Sequence, residues 1–308
     1  MKILVPITVT DEMIQSGSSI AEPAAGETAW ATATAYAVGD RRIRTQTHRV
    51  YECVAAHTSD AVPPENNPTK WVDVGPTQRW APFDNYISTA ARDVGSITYV
   101  LEPGYVNAIA LYGLVGTNFS LTIKDAPGGS VIYEYTTALA DPPAGWYEYF
   151  FTPYKPLTKI LVPNLPLRAN PEYTITVSAG VTGAVAIGLL VLGDYRSLIN
   201  DVATFGGAIS GAAAEPITYS YIKTNEDGTT QIVRRHSATS MRASLVIPRE
   251  YADESLRLVQ EVLDVPVCWV ASESPGYEGL NVFGLGSGRL SYDSQGIATM
   301  EITVKGMI

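Results

Sequence analysis

The sequence predicts a mostly β protein carrying one amphipathic helix, and three observations lead there. Thr, Val, Ile and Tyr dominate the periodic stretches, and such side chains suit a pleated, half-buried surface. Gly (26) and Pro (20) recur between those stretches as turn residues. Long helical heptads are absent. At 308 residues the chain exceeds the roughly 150–250 residues that one core serves, so several parts are expected.

Four segments follow in order. Residues 1–28 read as a strand arm, Ile3 to Thr10, and a flexible Ser/Ala/Gly/Glu/Pro linker from Gln15 to Thr28. A lone strand is marginal and wants an edge, in this chain or in a neighbouring subunit. Residues 29–83 form a small module whose wide rings (Trp30, Tyr36, Tyr51, Trp71, Trp80) flank a Gly39-Asp40 turn. About fifty residues bury little, so such a module depends on its rings.

Residues 84–198 predict a jelly-roll-like β-sandwich. Its strands are Ser96–Leu101, Ala108–Leu114, Ser120–Lys124, Ser130–Tyr135, Trp146–Thr152, Lys159–Val162, Tyr173–Ser178 and Val185–Leu192. Turn chemistry such as Asp125-Ala-Pro-Gly-Gly129 and Asn170-Pro171 separates them, at the regular spacing of a two-sheet sandwich.

Residues 199–308 predict an α+β assembly domain. A hairpin, Tyr219–Lys223 with Gln231–Arg235, turns at Asp227-Gly228. After the strand Ser240–Ile247, Pro248 and nearby acids open a helix, as the macrodipole favours. Leu256, Val259, Val262 and Leu263 place its apolar stripe on one face. The strands Val267–Ala271, Leu280–Gly284, Gly288–Tyr292 and Ala298–Val304 complete the domain.

Charge and composition narrow the function. A net charge of −10 disfavours nucleic acid and anionic membrane surfaces, which need clustered Lys and Arg. The one dense basic group, Arg234-Arg235-His236, reads as the solvated flank of a turn. Cys53 and Cys268 lie far apart, which predicts two buried thiols rather than a disulfide framework. Pro6 and Asp11 interrupt the first apolar run, so no signal peptide is expected, and Val181–Leu192 is too short for a membrane helix. A soluble chain made in the cytoplasm is expected.

Chemistry is sparsely advertised. Three His and two Cys cannot build a zinc site at standard spacing, and no cofactor or metal is expected. Gly284-Leu-Gly286-Ser-Gly288 precedes a strand rather than a helix, which argues against a phosphate cradle. Glycoside cleavage needs two acids facing one cleft. Here Glu226, Asp227, Glu250, Asp253 and Glu254 sit at a turn and a helix start, where acids serve local structure. A non-enzymatic chain is expected.

Two resemblances add to this. The order Trp30, Tyr36-x-x-Gly39-Asp40, Tyr51-x-Cys53, Trp71 resembles the small chitin- and cellulose-binding modules of carbohydrate-binding families 5 and 12. That resemblance implies sugar stacking on exposed rings, with Tyr36, His57 and Trp71 as candidates. The adjacent aromatics typical of those modules correspond here to Ala55 and Ala56, and Trp30, Tyr36, Tyr51 and Trp71 also match positions that hold the fold together. The strand order of residues 84–198 resembles the galactose-binding-like sandwiches, a likeness of fold alone.

Across nearly the whole length, the arm, the module, the join Gly75 to Asp84, the segment Val106 to Leu114, Gly188 to Asp194 and the ending Met300 to Gly306 resemble tail-tip or baseplate structural proteins of tailed bacteriophages. The resemblance implies a non-enzymatic virion component at the tail tip, assembled in the host cytoplasm. Its expected partners are the tail hub, tube or fibres, further copies of itself in a ring, and host polysaccharide. Neither nucleic acid nor membrane insertion is implied.

Overall fold

The structure, a computed structural model, describes residues 1–140, 145–152, 155–199, 207–274 and 276–308. It is mostly β, as the composition predicts. One ten-stranded antiparallel sheet forms its spine. The strands lie in the order Lys159–Val162, Ala108–Tyr112, Leu189–Ser197, Lys2–Pro6, Val267–Val270, Asn281–Tyr292, Ile297–Gly306 and Ser237–Pro248. Gly207–Ala208 and Ala213–Thr218 both pair with the last of these.

The N-terminal strand is therefore no free arm. Its residues pair with Leu189–Ser197 on one side (Leu4 opposite Tyr195) and with Val267–Val270 on the other (Leu4 opposite Cys268). Ile3 and Leu4 are fully buried on opposite faces, as strand alternation requires. The edge left open by the sequence belongs to this same chain.

The sheet curls. Ala108–Tyr112 and Asn281–Tyr292 have three strands between them. Even so, the Tyr112 hydroxyl donates to Asn281 Oδ1 at 2.5 Å, and Lys159 Nζ on the edge strand reaches Asn281 O at 2.9 Å. The concave face holds Leu4, Ala110, Val191, Val270 and Phe283.

Two layers cover the opposite face. A four-stranded antiparallel sheet, in the order Val131–Ala138, Asn118–Lys124, Glu172–Ser178, Ser96–Leu101, brings Ile97, Tyr99, Phe119, Leu121 and Ile175 onto Ile109, Leu111, Leu190 and Leu192. This is the sandwich core, on the scale of about 10 Å between sheets. Further along the spine, the helix Arg249–Glu261 lays Val259 and the following Val262 on Leu245, Trp269, Met300 and Ile302. The buried stripe runs through Ala252, Ser255 and Val259. Leu263, expected on it, lies past the helix end and is exposed.

Several expectations are corrected. Residues Gln15 to Thr28 are not a flexible linker. Ile14, Ile20 and Ala24 enter the sandwich core, and the Gln15 and Ser19 amides donate to Val100 and Thr98 along the outer edge of Ser96–Leu101. Trp146–Phe151 is an α-helix rather than a strand, begun by the Tyr149 amide donating to Gly145 O. The run lacks β-branched residues and period-two alternation. Val185–Leu192 is two strands, Ala184–Ile187 and Leu189–Ser197, in different sheets. Gly188 makes the crossing, because a Cβ there would stand 2.6 Å from Ile87 O.

Leu280–Gly284 and Gly288–Tyr292 merge into one strand, Asn281–Tyr292. Its Gly286 is no break: a Cβ would lie 2.1 Å from the buried ring of Trp269.

Candidate functional site

The small module is a three-stranded sheet, Arg41–Arg44, Arg49–Cys53 and Trp71–Pro76, with a two-stranded ribbon of Ala35–Tyr36 and His57–Thr58. Register sets Tyr36 opposite His57 and Cys53 opposite Trp71. The three candidate sugar-binding residues do come together. Tyr36 and Trp71 meet edge to face at 5.0 Å and 74°, and His57 stands 6.0 Å from Tyr36 and 5.5 Å from Trp71.

They come together as a core. Tyr36 and Trp71 are each 3% exposed and cluster with Tyr51 and Cys53. The Tyr36 hydroxyl donates to Ala31 O (3.0 Å) and accepts from the Ala31 amide (2.9 Å), and Arg42 lies over its ring at 5.1 Å. Sugar stacking needs an open ring face, which neither ring has. His57 is half-buried, with Nδ1 donating to Ala55 O at 2.8 Å. Ala55 and Ala56, at the positions of the typical platform aromatics, are exposed.

Glu22, in the strap between arm and module, is a polar node that sequence reasoning missed. Its carboxylate accepts from His48 Nδ1 (2.9 Å), Thr77 Oγ1 (2.8 Å) and Trp80 Nε1 (3.1 Å), and the rings of His48 and Trp80 stack at 4.1 Å. All three partners lie within or at the end of the module, so Glu22 holds the strap to it. No motif spacing announces such a node, because its members are 26 to 58 residues from Glu22.

A cavity of about 380 Å³ beside Ile7 and Phe83, lined by Asp84 and Asp264, is one candidate catalytic cleft among the described residues. Burial raises the carboxyl pKa of Asp84. Both its oxygens are engaged, Oδ1 by the Tyr86 amide (2.8 Å) and Oδ2 by the Thr89 hydroxyl (2.6 Å). Asp264 is exposed. An acid closing its own turn is poorly placed to serve as a base, which must reach the proton it abstracts.

A second buried group lies inside the curled sheet. Tyr112 Oη stands 2.7 Å from Cys268 Sγ, and Cys268 Sγ donates to Asn281 Oδ1 at 3.1 Å. Burial pushes the Cys268 thiol up to about 12 and lowers the pKa of Lys159. A nucleophilic cysteine needs the opposite shift. These groups satisfy one another across the seam. Among the described residues no cluster of His, Cys, Asp or Glu is arranged to hold a metal.

Exposed rings occur elsewhere. Along Trp146–Phe151, the side chains of Trp146, Tyr147, Tyr149, Phe150 and Phe151 are all exposed, Trp146 to 81%. Trp146 and Phe150 stack at 6.2 Å with ring planes 16° apart. The signal lay in the sequence as an aromatic run broken only by Glu148, but a strand assignment hid that every ring faces out. No described helix is long and apolar enough to cross a membrane. No family model, curated protein or solved structure matches the chain.

Proposed function

We propose that the chain is a non-enzymatic structural component of a tailed-phage tail tip or baseplate. It is placed in the virion after assembly in the host cytoplasm, attached to hub, tube or fibres and present in several copies in a ring. One observation carries this reading: the half-buried acids and the buried thiol that could do chemistry, Glu22, Asp84 and Cys268, are each engaged by neighbouring groups, while large apolar side chains stand out on projecting elements. Tyr221, Ile222 and Ile232 on a hairpin and Trp146, Tyr147, Tyr149, Phe150 and Phe151 on a short helix are all exposed. Exposed apolar surface of this kind marks contact sites rather than reacting centres. The sequence resemblance to tail-tip proteins supplies the setting. The test is to trace the chain in native particles by electron microscopy; its absence from purified virions overturns the proposal.

A carbohydrate-binding accessory role outside any particle is the second reading. The open Trp146 and Phe150 pair favours it over the closed Tyr36 and Trp71 pair. On a polysaccharide column, Trp146→Ala with Phe150→Ala should then abolish retention while the fold persists. Absence of retention by the unmodified chain rejects this reading.

A further inference from the structure

We propose that the hairpin arm of residues 219–236 joins two copies of this chain, the acidic tip of each seated against the basic root of the other. The inference adds a two-fold contact between copies to the proposed function; it does not itself build the ring, and it does not depend on the virion setting.

The arm begins where the pairing of Ala213–Thr218 with Ser237–Pro248 leaves the sheet. Beyond that point Tyr221–Thr224 pairs with Thr230–Val233, and this two-stranded ribbon pairs with no other described strand. Every residue of both strands is exposed. An isolated two-stranded ribbon is at best marginally stable, and its unpaired edges invite a further chain. Its apolar residues sit in register, Tyr221 opposite Val233 and Ile222 opposite Ile232. Ile222 and Ile232 are about 60% exposed. Such a ribbon is finished by a partner.

Charge identifies the partner. Residues 207–237 contain three bases (Lys223, Arg234, Arg235) and three acids (Glu215, Glu226, Asp227), so the arm region is neutral on a chain of net −10. The signs are separated. Glu226 and Asp227 occupy the turn, where Asp227 Oδ1 accepts from the Thr229 amide and hydroxyl. Arg234, Arg235 and His236 occupy the root. Neither arginine forms an ion pair among the described residues.

Those three root residues, with Tyr219 and Ile308, line an open hollow of about 550 Å³. Each copy thus carries an acidic knob and a basic hollow, roughly 20 Å apart along the ribbon at strand rise. Two arms laid antiparallel about a two-fold axis place each knob at the other's hollow. Tyr221, Ile222, Ile232 and Val233, which lie next to the root, then pack against the Thr224 and Thr230 stretch near the other ribbon's tip. Such self-complementarity defines an isologous contact. A foreign acidic partner would engage the root but leave the acidic tip unmatched.

Sedimentation of the full chain and three variants tests this. The unmodified chain is expected as a dimer or larger, falling toward the 33.1 kDa monomer as salt rises. Replacing 221–233 by a Gly-Gly turn should give a monomer with an unchanged melting transition of the body. Arg234→Glu with Arg235→Glu, and separately Glu226→Lys with Asp227→Lys, should each be monomeric. An equal mixture of these two should recover the dimer mass, because every reversed tip then meets a reversed root.

A monomeric unmodified chain, an arm-trimmed chain that still associates, or a mixture that fails to recover overturns the inference. Dimerisation of purified chain without any particle, and incorporation of the arm-trimmed chain into virions, are separate readouts. Failure of one reading is therefore distinguishable from failure of the other.

Discussion

Cys268 shows how burial decides chemistry at the level of one residue. Its thiol, fully buried beside Tyr112 and Asn281, is pushed up to about 12, so almost none of it is thiolate at neutral pH. Cys53 is equally buried within the module core. Neither thiol should react with iodoacetamide in the native chain, and both should react once it is unfolded; native labelling of Cys268 would contradict the seam described above. The module's rings follow the same logic. Trp71→Ala or Tyr36→Ala removes a buried aromatic from a core of very few residues, at a cost of about 3–5 kcal/mol. Loss of amide protection across 35–76 is the expected outcome. Retained protection with lost polysaccharide binding would instead return these rings to a platform role.

At the scale of elements, Glu22 shows how the strap holds the module. Three donors converge on its two oxygens, and a Gln side chain offers only one oxygen to accept them. Glu22→Gln should cost about 1–3 kcal/mol, since a buried donor is left unpaired. Hydrogen exchange should show the module opening before the sandwich does. A variant as stable as the original would remove Glu22 from any fastening role.

Elements with a strict period were legible in the sequence: Ser96–Leu101 and Lys159–Val162 have the expected bounds, and the helix after Pro248 begins where its acids place it. Trp146–Phe151 was not legible, because wide rings favour strands and no helical period or capping residue argued against one. Gly188 and Gly286 were not legible either, since the same residue marks a crossing at one place and a close ring contact at the other. The ring cluster of Tyr36, His57 and Trp71 was readable as a cluster. Its burial was legible in part: Tyr36 and Trp71 matched fold-holding positions as well as a platform, and spacing along a strand does not by itself say which face meets solvent.

For the whole molecule, the decisive feature is that the first strand lies in the interior of the sheet. Lys2–Pro6 joins the sandwich strand Leu189–Ser197 to Val267–Val270, which belongs to the helix-bearing half, so two distant parts of the chain share one ladder. Side chains reinforce the join. Lys2 Nζ stands 3.1 Å from Glu273 Oε1, the Tyr195 hydroxyl donates to the same oxygen at 2.7 Å, and Lys2 lies over the Tyr195 ring. Burial alone would raise the Glu273 carboxyl, but hydrogen bonds from Tyr195 and Lys2 outweigh it and hold the pKa below the ordinary 4.5. In the four-stranded sheet, the Lys124 hydrogen bond likewise lowers Glu172. A carboxyl with a depressed folded pKa stabilises the fold in full above its unfolded value, and that contribution disappears as pH falls through the folded value. Stability should therefore be flat in pH across the neutral range, with respect to these two groups, and decline below about 4.5 as both protonate. Thermal melts of the unmodified chain and of Glu273→Gln with Glu172→Gln check this. The double variant should melt lower at neutral pH and converge on the original in acid, because it has already lost what protonation removes. A constant gap between the two at every pH would mean that the carboxylates act through shape alone, and that the charge of Lys2 plays no part in fastening the first strand.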